Sequence, residues 1–210
     1  MRDGFTYDRK LPLEGYDHSR VIYVNHHQAH AASEFYASGF PEANIISLDG
    51  NGGSESGILG VWWGVNIEII KAISNRGSWG LQYELITEKP GFRRHSCEGK
   101  VMGLAAYGTP DPNGLPFIKW DGDIPLIEPA SCRNFINAIP ARKKEDPITD
   151  YHKNLAATLQ DSLERAVKRK AEYFYEETGI RRLCLAGCSA LNCSMNGKLA
   201  LISVHNSTSG

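Results

Sequence analysis

The sequence lacks three features that would assign it to a protein class at once: a long apolar run, an excess of one charge and a paired-cysteine motif. No apolar stretch approaches the roughly 20 residues of a membrane-spanning helix, and the first residues hold no apolar segment typical of a secretory signal. The 210 residues carry a formal net charge of −1, so no broad basic surface for nucleic acid is expected. These absences predict a cytoplasmic protein that binds neither membrane nor nucleic acid.

The cysteines are odd in number, irregularly spaced and free of any CxxC pair. The five are Cys97, Cys132, Cys184, Cys188 and Cys193. Zinc ribbons and redox dithiols use pairs separated by two residues. The cysteines are therefore predicted to be free structural thiols in a reducing compartment.

With 41% hydrophobic residues, the chain is long enough to bury a core as one large domain or two small ones. Alternation and apolar runs predict strands, and fourfold spacing of leucines predicts helices. The predicted strands are 21–25, 43–48, 57–63, 65–70 and 180–185, and the predicted helices are 26–38, 98–108 and 149–178. The three strands between 43 and 70 are expected to form an antiparallel meander. Strands mixed with helices predict an α/β fold.

Two stretches are predicted to lack regular structure. Residues 1–20 are polar and mixed, as expected of a loop or poorly ordered lead-in. Residues 109–130 hold five of the ten prolines and are predicted to form loops that belong to an insertion.

The pair His26 and His30 is the most informative chemical feature. The two histidines open a predicted helix, and residues four apart share one helical face. Two imidazoles in that arrangement can bind one metal ion. The spacing also arises by chance, and His27 stands where the HExxH motif of zinc proteases needs glutamate, which argues against a protease.

A glycine-rich turn follows Asp49, at the end of the next predicted strand. Gly50, Gly52, Gly53 and Ser54 could let backbone N–H groups approach a phosphate closely. Asp49 could hold a divalent ion or a water that bridges phosphates. The alternative is an ordinary Asn-Gly hairpin turn with no ligand.

A second small-residue turn joins the last predicted strand to a helix. Gly187, Cys188 and Ser189 would lie at the helix N-terminus, where free N–H groups and a partial positive charge favour nucleotides. The side-chain amide of Asn192 could add a contact. The alternative is a strand–helix turn that uses small residues for close packing.

A charged cluster precedes the predicted helix 98–108. Lys100 could pair with a phosphate, and Glu98, Arg93, Arg94 and His95 lie close to it in sequence. A solvated face is the alternative, and we favour it for the arginines.

Five strings in order resemble the carbamoyltransferase family of nodulation-factor and antibiotic O-carbamoylation. They are His26-His27-Gln28-Ala29-His30-Ala31-Ala32-Ser33, Leu48-Asp49-Gly50, Ser78-Trp79-Gly80-Leu81-Gln82-Tyr83, the string from Glu98 to Gly108, and the string from Leu185 to Cys193. Each string is weak alone, whereas the ordered set spans residues 21 to about 200 and is specific.

The resemblance implies an actin-like ATPase fold of two ribonuclease-H-like lobes, similar to tRNA threonylcarbamoyl transferase. It implies that carbamoyl adenylate, made from carbamoyl phosphate and ATP in a separate domain, gives its carbamoyl group to a substrate hydroxyl. It further implies a divalent metal, iron above all, held by His26 and His30 with Asp49 nearby. The turn after Asp49 would face phosphate, and Gly187–Asn192 would face adenosine.

The chain departs from the family pattern in four features. The family has an early His-Asp-Ser hairpin, a late metal-binding aspartate and an adenylate-forming domain, and none of these is found here, so the catalytic residues stay unassigned. Position 188 holds Cys where the family usually has Gly. We expect a fragment, with residues 1–40 ending lobe one and residues 41–210 forming a truncated lobe two, inactive in isolation. A non-catalytic nucleotide-binding module and a tRNA threonylcarbamoyl transferase-like protein are the alternatives.

Overall fold

The computed structural model describes residues 22–120 and 124–205, with side chains described through residue 200. The helices are α1 (His26–Ser38), α2 (Trp79–Thr87), α3 (Glu98–Ala105), α4 (Pro129–Ala138), α5 (Asp150–Thr178) and α6 (Cys193–His205). The strands are β1 (Glu42–Leu48), β2 (Glu55–Trp63), β3 (Asn66–Ser74), β4 (Ile118–Lys119), β5 (Leu126–Ile127) and β6 (Leu183–Ala186). Short 3-10 helices cover Asn75–Gly77 and Cys188–Leu191.

The main sheet is mixed and runs in the order β3-β2-β1-β6. Strands β1, β2 and β3 form an antiparallel meander, and β6 adds to β1 in parallel. A parallel neighbour needs a long crossover connection, and the helical segment between β3 and β6 supplies it. The predicted α/β class and the predicted meander are confirmed.

Helices cover both faces of the sheet because successive residues of β1 point in opposite directions. On one face, Ile45 packs in a cluster with Ala31 and Phe35 of α1. On the other face, Ile46 belongs to a larger cluster that includes Leu159 and Leu163 of α5. The leucine spacing of α5 therefore marks its buried stripe, as the sequence predicted.

The parallel pairing of β1 with β6 positions the candidate site. Ser47 lies opposite Ala186, so both strands end at the same edge of the sheet. Asp49 and Gly187 follow directly, and α1 packs on both strands nearby. The turn after Asp49 and the turn that begins at Gly187, 138 residues after Asp49, thus meet in space.

The predicted strand at 21–25 is wrong. Ile22, Tyr23 and Val24 are exposed and carry no regular structure, and Asn25 is the N-cap of α1, its Oδ1 accepting a 3.0 Å hydrogen bond from the backbone N–H of Gln28. An apolar run forms a strand only where another strand pairs with it, and none does within the described residues.

The remaining element predictions hold with small shifts. The predicted helices at 26–38 and 149–178 are α1 and α5, and the helix at 98–108 ends earlier, at Ala105. The loops predicted for 109–130 contain the short β4–β5 hairpin. Residues 1–20, predicted as a lead-in, lie outside the described residues, and the division at residue 40 stays a prediction.

All five cysteines are free thiols. Among the described helices, none combines the length and apolar character needed to cross a bilayer.

Candidate functional site

Two imidazoles converge on one carboxylate oxygen. The Nε2 atom of His26 lies 3.1 Å from Oδ2 of Asp49, and the Nε2 atom of His30 lies 3.2 Å from the same oxygen. Ligand atoms bound about 2.1 Å from a shared metal ion lie roughly 3.0–3.5 Å from one another. The structure therefore places the donor nitrogens of both predicted histidine ligands next to the same oxygen of Asp49.

Asp49 is a buried, oriented anion. Its side chain is 3% exposed, and its Oδ1 accepts a 2.6 Å hydrogen bond from the backbone N–H of Cys188. Burial raises its pKa, but the hydrogen bonds from Cys188 and His26 and the nearby His30 outweigh burial and hold the pKa below its ordinary value. An ionised carboxylate at this depth requires a cationic partner, which suits a metal site.

His27 is the residue whose role sequence reasoning missed. Its ring is fully buried, with Nδ1 3.3 Å from Oγ of Ser47 and Nε2 3.2 Å from the carbonyl oxygen of Glu55. Burial lowers its pKa, which favours the neutral ring. Among the described residues, the donor set whose atoms all lie within 4.8 Å of one another is His26, His27 and Asp49, without His30. Because both ring nitrogens of His27 already have protein partners, we assign it to anchoring α1 on the sheet.

The glycine turn after Asp49 is shaped by the histidines. A Cβ atom on Gly52 would lie 2.4 Å from Nε2 of His27 and 2.7 Å from Cδ2 of His26. The N–H of Gly52 bonds the carbonyl of Glu55, and the N–H of Gly53 bonds Oδ1 of Asn51. These two N–H groups are therefore occupied within the turn, and the exposed Ser54 stands beside them.

A cavity of about 770 Å³ opens beside the histidine–aspartate cluster. Six predicted site residues line it: His26, Asp49, Gly50, Cys188, Ser189 and Asn192. The other predicted site residues, His30, Gly52, Gly53, Ser54, Lys100 and Gly187, lie outside its lining. The volume falls in the range of small-molecule and cofactor sites.

The turn after β6 requires glycine at position 187, and the next residue, Cys188, lines the cavity with its thiol. Gly187 has a φ of +84°, and a Cβ atom there would lie 2.4 Å from the carbonyl oxygen of Leu48. The hydrogen bond to Asp49, with burial, raises the pKa of Cys188 to about 11. The cavity therefore meets a neutral thiol at position 188.

The positive charge of the cavity comes from Arg94 rather than Lys100. Arg94 lines the cavity and lies 3.8 Å from a carboxylate oxygen of Glu84, to which Nδ1 of His95 comes within 3.4 Å. Lys100 is exposed, with its ammonium 5.9 Å from the ring centre of Phe92. The sequence shows a charged cluster here, but it holds no signal for which member turns inward.

Two buried polar atoms at the cavity lack a hydrogen-bond partner within the described residues. They are Nε of Arg94 and Oδ1 of Asn75. Buried polar groups are nearly always bonded to protein or water, so unpaired ones beside a cavity suit contact with a polar ligand.

Comparison with known proteins supports one family. The matching family description is "Carbamoyltransferase N-terminus", over residues 6–205. The nodulation protein NolNO of Sinorhizobium fredii is 38% identical over 206 residues, covering 91% of this chain and 30% of that protein. The nodulation protein NolO of Bradyrhizobium diazoefficiens is 37% identical over 185 residues, covering 84% of this chain and 33% of that protein.

An uncharacterized protein of Synechocystis is 36% identical over 197 residues, covering 85% of this chain and 32% of that protein. The chain thus spans about a third of the length of these relatives. The family match covers nearly the whole chain, and the chain therefore belongs to the carbamoyltransferase family, whose N-terminal region it matches.

Proposed function

We propose that this chain supplies the metal and nucleotide site of an O-carbamoyltransferase, which moves a carbamoyl group from carbamoyl adenylate to the hydroxyl of a small molecule. The observation that carries the proposal is the convergence of His26 and His30 on Asp49 at the edge of a 770 Å³ cavity. Family membership supports carbamoyl transfer as the reaction class.

The residues present fit a divalent metal, with iron as the first candidate. Two imidazole nitrogens and one carboxylate oxygen form a ligand set that first-row divalent ions accept. His26, His30 and Asp49 would hold the ion. When bound, it would supply Lewis-acid polarisation of an acyl or phosphoryl oxygen.

Residues of this chain would orient the metal-binding carboxylate and offset the negative charge of the bound phosphate. The backbone N–H of Cys188 keeps the Asp49 carboxylate in one orientation. Arg94 places a guanidinium at the cavity, where it would offset the negative charge of a phosphate. Glu84, held by Arg94 and His95, offers acceptor oxygens to a ligand hydroxyl.

The apolar part of the cavity suits the nucleotide base. Met102, Leu163 and Leu191 line it together with the ring of Tyr83. An apolar wall with a few fixed polar groups is the usual form of a cofactor site. ATP or carbamoyl adenylate, with its adenosine near Gly187–Asn192, is therefore the ligand we propose.

The finer fold and partners also belong to this proposal. An antiparallel trio of strands with a parallel fourth beside β1 supports a ribonuclease-H-like lobe of the actin-like ATPase fold. Residues 1–40 would complete lobe one, and residues 41–210 would belong to lobe two. A separate adenylate-forming domain would supply the carbamoyl adenylate.

Calorimetry tests the proposal directly. ADP and a non-hydrolysable carbamoyl-adenylate analogue are titrated into purified protein with and without Fe²⁺ or Mn²⁺. We expect metal-dependent binding that Asp49→Asn abolishes and that Asp150→Asn, at an exposed carboxylate on α5, leaves unchanged. Loss of binding with both variants, or none with the wild type, would contradict the assignment.

Transfer activity is then measured with carbamoyl phosphate, ATP and the separate adenylate-forming domain. Metal-dependent nucleotide binding without transfer to any hydroxyl would instead support a non-catalytic binding module.

A further inference from the structure

Asn192 is held from behind by a buried glutamine. Nε2 of Gln160 donates to Oδ1 of Asn192, and Nδ2 of Asn192 donates back to Oε1 of Gln160, both at 2.9 Å. Gln160 lies on α5, is 5% exposed and is not part of the cavity lining, whereas Asn192 is. The reciprocal pair therefore connects the cavity wall to a rigid helix behind it.

Neighbouring groups whose role as donor or acceptor is fixed determine the orientation of the side-chain amides of Asn192 and Gln160. The backbone N–H of Met195 donates to Oδ1 of Asn192 at 3.0 Å, and a backbone N–H can only donate. Nε2 of Gln160 also donates to a carboxylate oxygen of Glu164 at 2.7 Å, and the phenol of Tyr83 donates to Oε1 of Gln160 at 2.9 Å. Reversing either amide would oppose donor to donor or acceptor to acceptor.

The charged and ionisable groups of this network are also paired. Glu164 is 5% exposed as a side chain, accepts a hydrogen bond from Oγ of Ser194 and pairs with the ammonium of Lys198. Burial raises the pKa of Tyr83, so its phenol stays a donor at neutral pH. The arrangement around Gln160 is therefore fully satisfied, which makes it rigid.

The orientation limits what Asn192 can offer to a ligand. Its Oδ1 receives hydrogen bonds from Gln160 and from Met195, which fill both lone pairs. One N–H of Nδ2 remains, and its neighbour within the protein is the phenol oxygen of Tyr83 at the cavity wall. Leu191 precedes Asn192 and Leu163 lies one turn after Gln160, so apolar cavity walls flank this N–H.

We infer that Gln160 is a positioning residue that makes Asn192 a hydrogen-bond donor toward a ring nitrogen of the bound adenine. The inference rests on the proposed function, because it states how the protein recognises the adenine ring of a nucleotide bound in that cavity. Ring nitrogens of purines accept hydrogen bonds and can therefore pair with the N–H of Asn192. The exocyclic amine of adenine donates hydrogen bonds and cannot pair with that N–H.

The test measures AMP affinity together with discrimination among purines. AMP and its 1-deaza, 3-deaza and 7-deaza analogues are titrated into the wild type, Asn192→Asp and Gln160→Glu. The matched control is Gln82→Glu, the same change at a buried glutamine whose Oε1 accepts a hydrogen bond from the Cys132 thiol and would still accept as a carboxylate.

We expect the wild type to bind one of the deaza analogues about 10-fold more weakly than AMP, since one buried hydrogen bond is lost. Asn192→Asp and Gln160→Glu should each lower the affinity for AMP about 10-fold and should no longer discriminate between AMP and that analogue. Their affinity for the metal should be unchanged. Gln82→Glu should keep both the affinity and the discrimination. Tyr83→Phe, which retains the ring and removes one bond to Gln160, provides a milder variant should Gln160→Glu unfold.

The possible outcomes distinguish failure of the proposed function from failure of the positioning role alone. A wild type that binds no adenine nucleotide overturns the proposed function and this inference together. A wild type that binds AMP, with discrimination that survives in Gln160→Glu or, where that variant does not fold, is undiminished in Tyr83→Phe, overturns the positioning role alone. A general loss of stability would lower affinity for all four ligands equally and would also overturn it.

Discussion

The backbone N–H of Cys188 donates a 2.6 Å hydrogen bond to Oδ1 of Asp49, 139 residues earlier in the chain. The bond forms because β1 and β6 are parallel neighbours that end at the same edge of the sheet. It satisfies one oxygen of a buried carboxylate and leaves Oδ2 to face His26 and His30. The candidate metal site is thus assembled from three segments, and the bond to Cys188 sets the direction of the Asp49 carboxylate.

Substitutions at His30 and at His27 should distinguish an effect on metal binding from an effect on stability. His30→Ala should remove bound metal and leave the melting temperature of the metal-free protein nearly unchanged, because the ring is partly exposed and its Nε2 faces Asp49. His27→Ala should lower the free energy of unfolding by about 2–4 kcal/mol, because it empties a buried, hydrogen-bonded site. Metal analysis by mass spectrometry and thermal unfolding distinguish them. Normal metal content in His30→Ala would remove that residue from the ligand set.

Gly52 is predicted to be intolerant of even one methyl group. In Gly52→Ala the new Cβ would start 2.4 Å from Nε2 of His27, so the imidazoles must move and metal affinity should fall at least 10-fold. Gly103→Ala is the control, since a Cβ there meets nothing within 4 Å and its helical position should gain about 1 kcal/mol of stability. Metal titrations and denaturant unfolding of both variants check this. Equal metal affinity in the two variants would contradict the packing argument.

Ser78 supports the turn that carries Asp49. Its Oγ accepts a hydrogen bond from the N–H of Leu81 as the N-cap of α2, and it lies 2.7 Å from the carbonyl oxygen of Gly50. Ser78→Ala should cost about 1–2 kcal/mol in the free energy of unfolding, through loss of the cap and of a buried bond. Ser131→Ala, which removes a hydroxyl bonded to the half-exposed Glu128, should cost less than about 0.5 kcal/mol. Urea titrations provide the comparison, and equal losses would contradict a special role for Ser78.

Lys170 should make stability depend on pH. The residue is 1% exposed, its ammonium lies 5.5 Å from the ring centre of Trp79, and its Nζ has no hydrogen-bond partner within the described residues. Burial, with a smaller contribution from Lys71, lowers its pKa from 10.5 to about 7. Between these pH values the unfolded chain binds more protons, so the free energy of unfolding should rise with pH by up to roughly 1.4 kcal/mol per unit.

Lys170→Met should remove this slope and stabilise the protein at pH 7, where the wild type must bury an amine that prefers to be charged. Lys168→Met, two positions earlier and exposed, serves as the control and should retain the slope. Unfolding curves collected from pH 7 to pH 10 make the comparison. A slope of the same size in Lys170→Met would assign it to other groups.

The sequence by itself determined what depends on near neighbours. The fourfold spacing of Leu155, Leu159 and Leu163 and the stop at Gly179 define α5, because helical periodicity is a local property. The spacing of His26 and His30 likewise places them on one helical face. The order of strings carries the family resemblance, since it is written in the chain alone. The apolar run 21–25 misled because a strand also needs a partner strand.

Only the tertiary structure decided which side chains share a site. His27 sits between the two candidate ligands yet turns into the core, Arg94 rather than Lys100 lines the cavity, and Gln160 reaches Asn192 across 32 residues. These outcomes depend on strand register and on how α1, α2 and α5 dock against the sheet. Docking is set by the summed burial of many distant residues, so no local pattern in the chain encodes it.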